Sequence, residues 1–304
     1  MKLGIIDLGS NSVKFFVYEF TRNFVPKKIH KIKFQTQLAK DLFKSGKISS
    51  NSIIATKDAV QKFTEYPDFF KLDKLIAVGT SALRTVTDQS LKEDLEKIIG
   101  QEITLLSGKE EANLIANGFI FKNSKLLGNS LIIDIGGGST EVAIIENDKV
   151  INNISLPFGA IRVQENYLKT YPPEEISLSN LKNDISKELE TFSKSSNNLY
   201  IENAYGLSGG IKTLFKLFWI NDEHLTNIPY DDIYKLFNKV KKMSLSEISQ
   251  INGLPPERIH ILLGGFTILI SILEYFKIKN LVWDKSTLKD GVVAKEYEFY
   301  CSKS

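Results

Sequence analysis

Short apolar runs rich in β-branched residues recur along this 304-residue chain, and each predicts a strand that is covered on both faces. The clearest run, residues 131–133, leads into Asp134 and then into three glycines, residues 136–138, followed by Ser139. Glycine lets the backbone adopt positive φ and approach a ligand, and consecutive N–H groups in such a turn can bind an anion. Because an apolar strand pattern resumes at Val142, the stretch predicts a β-hairpin with a phosphate-binding turn. Rossmann and P-loop glycine runs open a helix instead.

The same element occurs a second time, in residues 3–19. A displacement of 127 positions places Asp7 on Asp134 and also superimposes the small residues of the two turns and the preceding isoleucines. Two matches in one register predict an internal duplication, in which two hairpins face each other and hold a polyanion between them. The two carboxylates would repel a phosphate without a divalent cation, so the arrangement implies Mg²⁺, held largely through water.

The rest of the hydrophobic pattern alternates between strands and helices. Polar and apolar residues alternate over residues 27–34 and predict a third antiparallel strand, whose lysines suit either a solvated edge or contact with a polyanion. Helical spacing over residues 53–66 predicts a helix that ends before Pro67. Further helices are predicted over 88–100 and 174–192, and further strands over 74–79, 103–106, 150–156, 199–205 and 281–283.

Composition narrows the class of protein. With 42% hydrophobic residues, 25% charged residues and a formal net charge of +3, nothing in the sequence demands nucleic acid. The longest apolar stretch, residues 259–273, falls short of the roughly 20 residues of a membrane span, so no membrane contact is expected. The chain enters its first strand almost at once, which predicts no secretion signal and a cytoplasmic location. Its only cysteine, Cys301, and its histidines, His30, His224 and His260, show no metal-binding spacing.

Two charged residues that follow predicted strands suit phosphate chemistry. Arg84 lies one helical turn beyond a strand end, where it can fork onto a phosphate or instead pair with Asp88 or a helix end. Glu111 lies in the first turn of a helix that Ser107 and Glu110 cap. Because Glu111 is rotated about 100° from Glu110, it is free either to orient an attacking water or to compensate the helix dipole.

A third small-residue turn, Ser208-Gly209-Gly210, opens a predicted helix. Its backbone N–H groups and the positive end of the helix make it a candidate for phosphate or nucleoside contact. The stretch Gly206-Leu-Ser-Gly-Gly210 has the spacing of a Gly-x-Ser-x-Gly elbow, but we assign its small residues to phosphate contact rather than to a nucleophile. Direct attack by water is therefore expected, rather than a covalent intermediate.

Six motifs occur in the order that is found in the exopolyphosphatase and guanosine pentaphosphate phosphatase family, and the chain resembles that family over nearly its whole length. They are Asp7-Leu-Gly-Ser-Asn-Ser12, Gly79-Thr-Ser-Ala-Leu-Arg84, Ser107-Gly-Lys-Glu-Glu-Ala112, Ile133-Asp-Ile-Gly-Gly-Gly-Ser-Thr-Glu141, Leu156-Pro-Phe-Gly-Ala-Ile-Arg162 and Leu207-Ser-Gly-Gly-Ile-Lys212. The resemblance implies an α/β fold of the actin, hexokinase and Hsp70 superfamily, with duplicated ribonuclease-H-like domains around a cleft. We expect domains over residues 1–122 and 123–304, with the terminal helix packed back on the first.

The resemblance also implies roles for the matching residues. Glu111 is implied as the catalytic carboxylate that activates water, and Arg84 as a catalytic contact to phosphate. Metal-associated acids, for Mg²⁺ or Mn²⁺, are implied at Asp7, Asp134 and Glu141; a requirement for K⁺ is left open. Phosphate or nucleotide contacts are implied at Ser10, Asn11, Gly136, Gly137, Gly138, Ser139, Ser208, Gly209 and Gly210.

The chain departs from the family pattern at two points. Lys289 stands in Leu288-Lys-Asp-Gly291 where the family usually has Leu-Arg-Glu-Gly, so the positive charge is kept but bidentate reach is lost. The sequence also has no stretch that matches the helical HD-type domain of longer relatives. It resembles the short two-domain form, for which high processivity on very long polyphosphate is not expected.

The function implied by the resemblance is hydrolysis of a terminal phosphoanhydride with release of orthophosphate. The substrate is inorganic polyphosphate or the 5′ end of pppGpp, a stringent-response nucleotide, and the sequence does not rank them because both present the same terminal anhydride. Two alternatives stay open: a small-metabolite kinase of the same superfamily, and a non-catalytic sensor of ppGpp or polyphosphate. A homodimer is suggested by analogy alone.

Overall fold

The computed structural model describes residues 1–22, 24–123, 128–194, 200–218 and 225–302, and two β-sheets form its framework. The first sheet contains β1 (Lys2–Leu8), β2 (Val13–Glu19), β3 (Lys27–Phe34), β4 (Lys74–Gly79) and β5 (Ile103–Leu105). The second contains β6 (Asn129–Ile135), β7 (Thr140–Glu146), β8 (Lys149–Leu156), β9 (Asn203–Leu207), β10 (Asn227–Pro229) and β11 (Asn280–Trp283).

Helices cover these sheets. They are α1 (Leu42–Ser45), α2 (Ser50–Phe63), α3 (Tyr66–Phe70), α4 (Ser81–Thr85), α5 (Ser90–Ile99), α6 (Gly108–Lys122), α7 (Ala160–Asn166), α8 (Glu175–Lys194), α9 (Ser208–Phe218), α10 (Tyr230–Val240), α11 (Leu245–Ser249), α12 (Leu262–Tyr275) and α13 (Leu288–Ser302). A 3₁₀ helix, Pro256–Ile261, precedes α12.

The two sheets share one topology. The first has the strand order β3-β2-β1-β4-β5, and the second has β8-β7-β6-β9-β11, extended by β10. In each sheet the first three strands are antiparallel and the next two run parallel to the third. The antiparallel meander followed by parallel crossover strands therefore occurs once in each half of the chain.

The pairing registers confirm the predicted duplication residue by residue. Asp7 of β1 pairs with Lys14 of β2, and Asp134 of β6 pairs with Glu141 of β7, at positions that differ by 127 in both strands. The two sheets even share an irregularity: the register shifts between Val17 and Tyr18 in one and at the equivalent step, residues 144–145, in the other. The duplication thus extends to a β-bulge that the sequence pattern alone did not indicate.

Some predicted boundaries are wrong. The first long helix, α2, ends at Phe63, where the Thr64 N–H bonds to the Gln61 carbonyl, and Pro67 lies in the first turn of α3 rather than after a helix. Proline is suited to a first turn because its missing N–H would have no intrahelical partner there. The strand predicted over 199–205 is observed as β9, which begins at Asn203; residues 195–199 lie outside the described part of the chain. The three-residue strand β10 was not predicted, since so short a run carries no periodicity.

The apolar segment near the C-terminus is longer than the sequence analysis allowed. Residues Pro256–Tyr275 form 20 helical residues that, by length and composition alone, could cross a membrane, but 61% of the most apolar window is buried inside the protein. Within it, α12 contains eleven buried residues. A Cβ at Gly264 would lie 2.8 Å from the Ala160 carbonyl oxygen, so glycine permits close packing of α12 on α7.

Two helices cross between the halves and form the base of the space between the sheets. The helix α6 packs on the second sheet through Ile115 and Phe119, whereas the terminal helix α13 packs on the first sheet through Val292 and Val293. The two helices lie so close that a Cβ at Gly291 would overlap the α6 backbone. The first turn of α6 and the start of α13 are thereby held at the bottom of the cleft.

Candidate active site

The two sheets enclose a cleft of about 730 Å³, and the small-residue turns line it. The turns follow β1 and β6, and each is closed by the same backbone hydrogen bond. The Gly9 N–H donates to the Ser12 carbonyl over 3.2 Å, and the Gly136 N–H donates to the Ser139 carbonyl over 2.9 Å. The hairpins predicted to face each other across a cleft do so.

Glycine is required in the second hairpin by space rather than by backbone angle. None of residues 136–138 has positive φ, which corrects the expectation from sequence. Instead, a Cβ at Gly137 would lie 2.9 Å from the Cβ of Ser10 in the opposite hairpin, and a Cβ at Gly159 would overlap the backbone of Gly137 and Ser139. The residue with a left-handed backbone is Ser208, with φ of 61°, at the start of the third turn.

The four carboxylates implied by the sequence, Asp7, Glu111, Asp134 and Glu141, line the same cleft and are nearly inaccessible to solvent. The same is true of a fifth, Asp290, which pairs with Lys289. Burial raises the pKa of Asp134 to about 6, while a hydrogen bond with Ser208 and the nearby Lys14 oppose that rise. Burial, together with the charges of Glu111 and Asp134, raises the pKa of Glu141 well above its usual value. Burial is the main cause of both shifts, and repulsion between neighbouring carboxylates adds to it.

Glu111 is positioned by the cap that the sequence predicted. Ser107 and Glu110 form the capping box at the start of α6, which leaves the Glu111 side chain directed into the cleft. Burial raises the pKa of Glu111 to about 7, opposed by Arg84 and reinforced by the charges of Asp134 and Asp7. A carboxylate with a pKa near neutrality is suited to accept a proton from water.

Arg84 has a different partner from either of those considered in the sequence. Its Nη1 donates to Glu111 Oε2 over 3.0 Å and to the Leu106 carbonyl over 2.5 Å. Asp88 instead accepts a bond from the Ser90 N–H. Arg84 is not among the residues that line the cleft, so in this conformation it holds the carboxylate of Glu111 rather than facing the space for a phosphate.

The other predicted contacts do lie together at the cleft. They are Ser10, Asn11, Gly136, Gly137, Gly138, Ser139, Ser208, Gly209 and Gly210. Of the histidines, His30 packs among aromatic rings away from the cleft and His260 offers its backbone carbonyl to Tyr171, whereas His224 lies outside the described residues.

Basic residues of the cleft are what the sequence analysis largely missed. Lys14 forms an ion pair of 2.7 Å with Asp7 at the position where the other half has Glu141. The 127-residue displacement already placed Lys14 on Glu141, so the pattern to find it was available. Lys289, left aside because it departs from the family motif, also lines the cleft and lies 2.6 Å from Asp290.

Asp7, Glu111, Asp134 and Glu141 are the candidate ligands of the cleft for a metal ion. Within the described ranges, no group of three or more His, Cys, Asp or Glu side chains converges as a direct ligand cage. Mg²⁺, however, usually keeps several waters and takes only one or two carboxylates together with substrate phosphates. Besides burial, the charge of neighbouring carboxylates raises the pKa of Asp134 and of Glu141, and a cation held largely through water by Asp7, Asp134 and Glu141 would offset that repulsion.

Comparison with known proteins gives concordant matches. Residues 16–298 match the model of the Ppx/GppA phosphatase family. The chain is 29% identical over 295 residues to the guanosine-5′-triphosphate,3′-diphosphate pyrophosphatase of Vibrio parahaemolyticus, with 95% of this chain and 58% of that protein covered. The chain thus spans little more than half the length of this relative.

Solved structures confirm the fold. An exopolyphosphatase from Cytophaga hutchinsonii superposes with a TM-score of 0.87 at 22% identity and 98% coverage of both chains. A Ppx/GppA family member from Aquifex aeolicus superposes with a TM-score of 0.81 at 24% identity, over 99% of this chain and 98% of that one. The predicted α/β architecture, two similar halves around a cleft, is therefore confirmed.

Proposed function

The chain belongs to the Ppx/GppA phosphatase family, and we propose on this premise that it hydrolyses a terminal phosphoanhydride and releases orthophosphate. The substrate classes are inorganic polyphosphate and pppGpp, to which the names of the Cytophaga and Vibrio relatives point respectively. The observation that carries the proposal is Glu111, buried in the cleft with its pKa raised to about 7 and positioned by Arg84.

The terminal phosphate would lie between the two facing hairpin turns. Their backbone N–H groups and the hydroxyls of Ser10 and Ser139 are donors suited to phosphate oxygens. The third turn adds the N-terminus of α9, an eleven-residue helix whose positive end favours an anion. Lys14 supplies a positive charge beside Asp7, where it would lie between the carboxylates of the cleft and the terminal phosphate of the substrate.

Glu111 would act on the attacking water. It accepts the water proton as the water oxygen bonds to the terminal phosphorus, and the bridging oxygen leaves with the electrons of the broken anhydride bond as part of the shortened polyphosphate or ppGpp. Arg84 fixes the orientation of the Glu111 carboxylate and keeps its pKa from rising further. Phosphoryl transfer depends on such positioning and on charge stabilisation more than on covalent chemistry.

A divalent cation fits the remaining carboxylates. Asp7, Asp134 and Glu141 would hold Mg²⁺ or Mn²⁺, and the ion would neutralise negative charge on the phosphates when bound. Ser155 donates to Glu141 Oε1 over 2.8 Å and so fixes the orientation of one of these acids. The metal, K⁺ and the cytoplasmic location stay predictions.

Orthophosphate release in ¹⁸O-labelled water tests this function. The protein is incubated with Mg²⁺ and either medium-chain polyphosphate or pppGpp, and the released phosphate is analysed by mass. Labelled orthophosphate from either substrate is the expected result, because water is the acceptor. ATP-dependent phosphorylation of a small metabolite would instead support the kinase alternative. Tight binding without release would support a sensor.

A further inference from the structure

A row of lysines runs along one wall of the cleft, on the strand β3. In the pairing of β2 with β3, Lys33 lies opposite Lys14, Lys31 opposite Phe16, and Lys28 opposite Tyr18. All six of these residues line the cleft. We call Lys28, Lys31 and Lys33 the β3 lysine row.

A β-bulge places the third lysine in this row. Side chains alternate between the faces of a strand, so Lys28 and Lys31, three positions apart, would point to opposite faces of a regular β3. The register shift inserts Ile29 as an extra residue, and Ile29 packs against the core with Ile32. The bulge thereby returns Lys28 to the cleft side.

The row leads away from the carboxylates. Lys14, opposite Lys33, is the residue that pairs with Asp7, and β2 runs from there away from the hairpin turn. At about 3.3 Å per residue, the strand from Lys14 to Tyr18 extends the site by roughly 13 Å. A substrate whose terminal phosphate lies at the turns would therefore have its remainder along the row.

The row is built to receive negative charge. In the part of the chain that the structure describes, none of its three lysines forms an ion pair with an acid. Burial lowers the pKa of Lys31, and the neighbouring positive charges of Lys28, Lys14 and Lys212 lower it further. Lys212, from the second half of the chain, also lines the cleft and adds to its positive charge.

The surface beneath the row does not suit a nucleobase. Phe16 and Tyr18 are only 2% and 5% exposed, and the ammonium groups of Lys31 and Lys289 lie 5.9 Å and 5.6 Å from the centre of the Phe16 ring. The Phe16 ring is therefore covered by cations and the Tyr18 ring is buried, so neither offers an open face for stacking. A linear polyanion, with charge on every unit, matches a continuous row of cations better than a nucleoside does.

We propose that the β3 lysine row binds the chain of a linear polyphosphate beyond its terminal phosphate, and so selects polyphosphate over pppGpp. This inference rests on the proposed phosphohydrolase function and names its substrate class. The lysines act on affinity for the chain and take no part in the bond-breaking step.

The test compares two triple variants of equal charge. One carries Lys28→Gln, Lys31→Gln and Lys33→Gln. The control removes three exposed lysines outside the cleft, with Lys27→Gln, Lys149→Gln and Lys279→Gln. Values of kcat/KM are measured for long-chain polyphosphate, tripolyphosphate and pppGpp.

We expect the wild type to prefer long polyphosphate to pppGpp. In the row variant, the ratio of kcat/KM for long polyphosphate to kcat/KM for tripolyphosphate should fall about tenfold. The fall should come from a higher KM for long polyphosphate, and its size is that expected for the loss of three partly exposed charge contacts. The control should keep the wild-type ratio. An unchanged ratio in the row variant, an equal fall in the control, or a wild-type preference for pppGpp would overturn the proposal.

A binding measurement separates this inference from the proposed function. Long polyphosphate is titrated into Glu111→Gln protein with and without the three row substitutions. Weaker binding without the row supports the inference even where no phosphate is released, in which case only the hydrolytic function fails. Equal binding by both proteins contradicts the role of the row, whatever the activity of the wild type.

Discussion

The guanidinium of Arg84 lies 3.0 Å from the carboxylate of Glu111, and this pair joins the first turn of α6 to the short helix α4. Burial raises the pKa of Glu111 to about 7, and the charge of Arg84 limits that rise. The pair thus sets the pH at which a buried carboxylate is free to accept a proton.

The first prediction concerns the pH dependence of activity. Glu111 must be deprotonated to act as a base, so kcat/KM should rise with pH through about 7. In Arg84→Gln the limiting influence of the guanidinium is lost, and the rising limb should move up by about 1 pH unit or more. Measurement of kcat/KM from pH 5 to 9 checks this. A profile that stays in the wild-type position would contradict control of Glu111 by Arg84.

The second prediction concerns Lys14. Its substitution by Gln leaves Asp7 without its ion pair beside three other carboxylates, which should weaken phosphate binding. We expect KM to rise about tenfold or more, as for the loss of a charged hydrogen bond. Lys27→Gln, on an exposed part of the same sheet, is the control and should keep the wild-type KM. If both variants bind substrate equally well, Lys14 has no such role.

The third prediction concerns stability without metal. The folded-state pKa of Glu141 lies well above its unfolded value, so the folded protein binds a proton more tightly over that interval. Its contribution to stability is full at low pH and is lost as pH rises, so the free energy of unfolding should fall as the pH rises above 4.5, the ordinary pKa of a glutamate. In Glu141→Gln this fall should be smaller, because glutamine does not titrate. Urea unfolding with a chelator measures it; an equal fall in both proteins would exclude Glu141 as a cause.

The fourth prediction concerns a contact between the two halves whose residues do not line the cleft. The Glu165 carboxylate, from α7, accepts the backbone N–H groups of Asp41, Phe43 and Lys44 over 2.6, 3.0 and 3.2 Å at the start of α1. Glu165→Ala should lower the free energy of unfolding by about 1–3 kcal/mol, since charged hydrogen bonds are lost. Glu190→Ala, on an exposed position of α8, serves as the control and should unfold like the wild type. Equal stability of the two variants would show that the contact adds nothing.

Most of the fold could be predicted from local patterns in the sequence. The hairpins, the capping box of Ser107 and Glu110, and the 127-residue repeat could be found because each depends on residues close in sequence or on self-similarity. Four carboxylates of the cleft followed from the same motifs and their resemblance to a family.

Contacts between distant segments could not be predicted in this way. The bond from Arg84 to Glu111 joins residues 27 positions apart, and that from Glu165 to Asp41 joins residues 124 apart. The orientation of Lys28 depends on a β-bulge in β3. The bulge shifts by one residue the alternation of side chains between the two faces of the strand, and no periodic sequence pattern marks it. The glycines of the second hairpin were found, but the reason for them, contact with Ser10, appears only when the halves are placed together.

The most direct test of the account compares Glu111→Gln with Glu110→Gln in the rate of orthophosphate release at saturating substrate and pH 8. Glutamine at position 110 retains the cap, whereas glutamine at position 111 cannot accept the proton of the attacking water. We predict that Glu110→Gln turns over within about twofold of the wild type and that kcat of Glu111→Gln falls by about 10²-fold or more. Near-native turnover by folded Glu111→Gln protein would contradict the central claim that this buried carboxylate activates water.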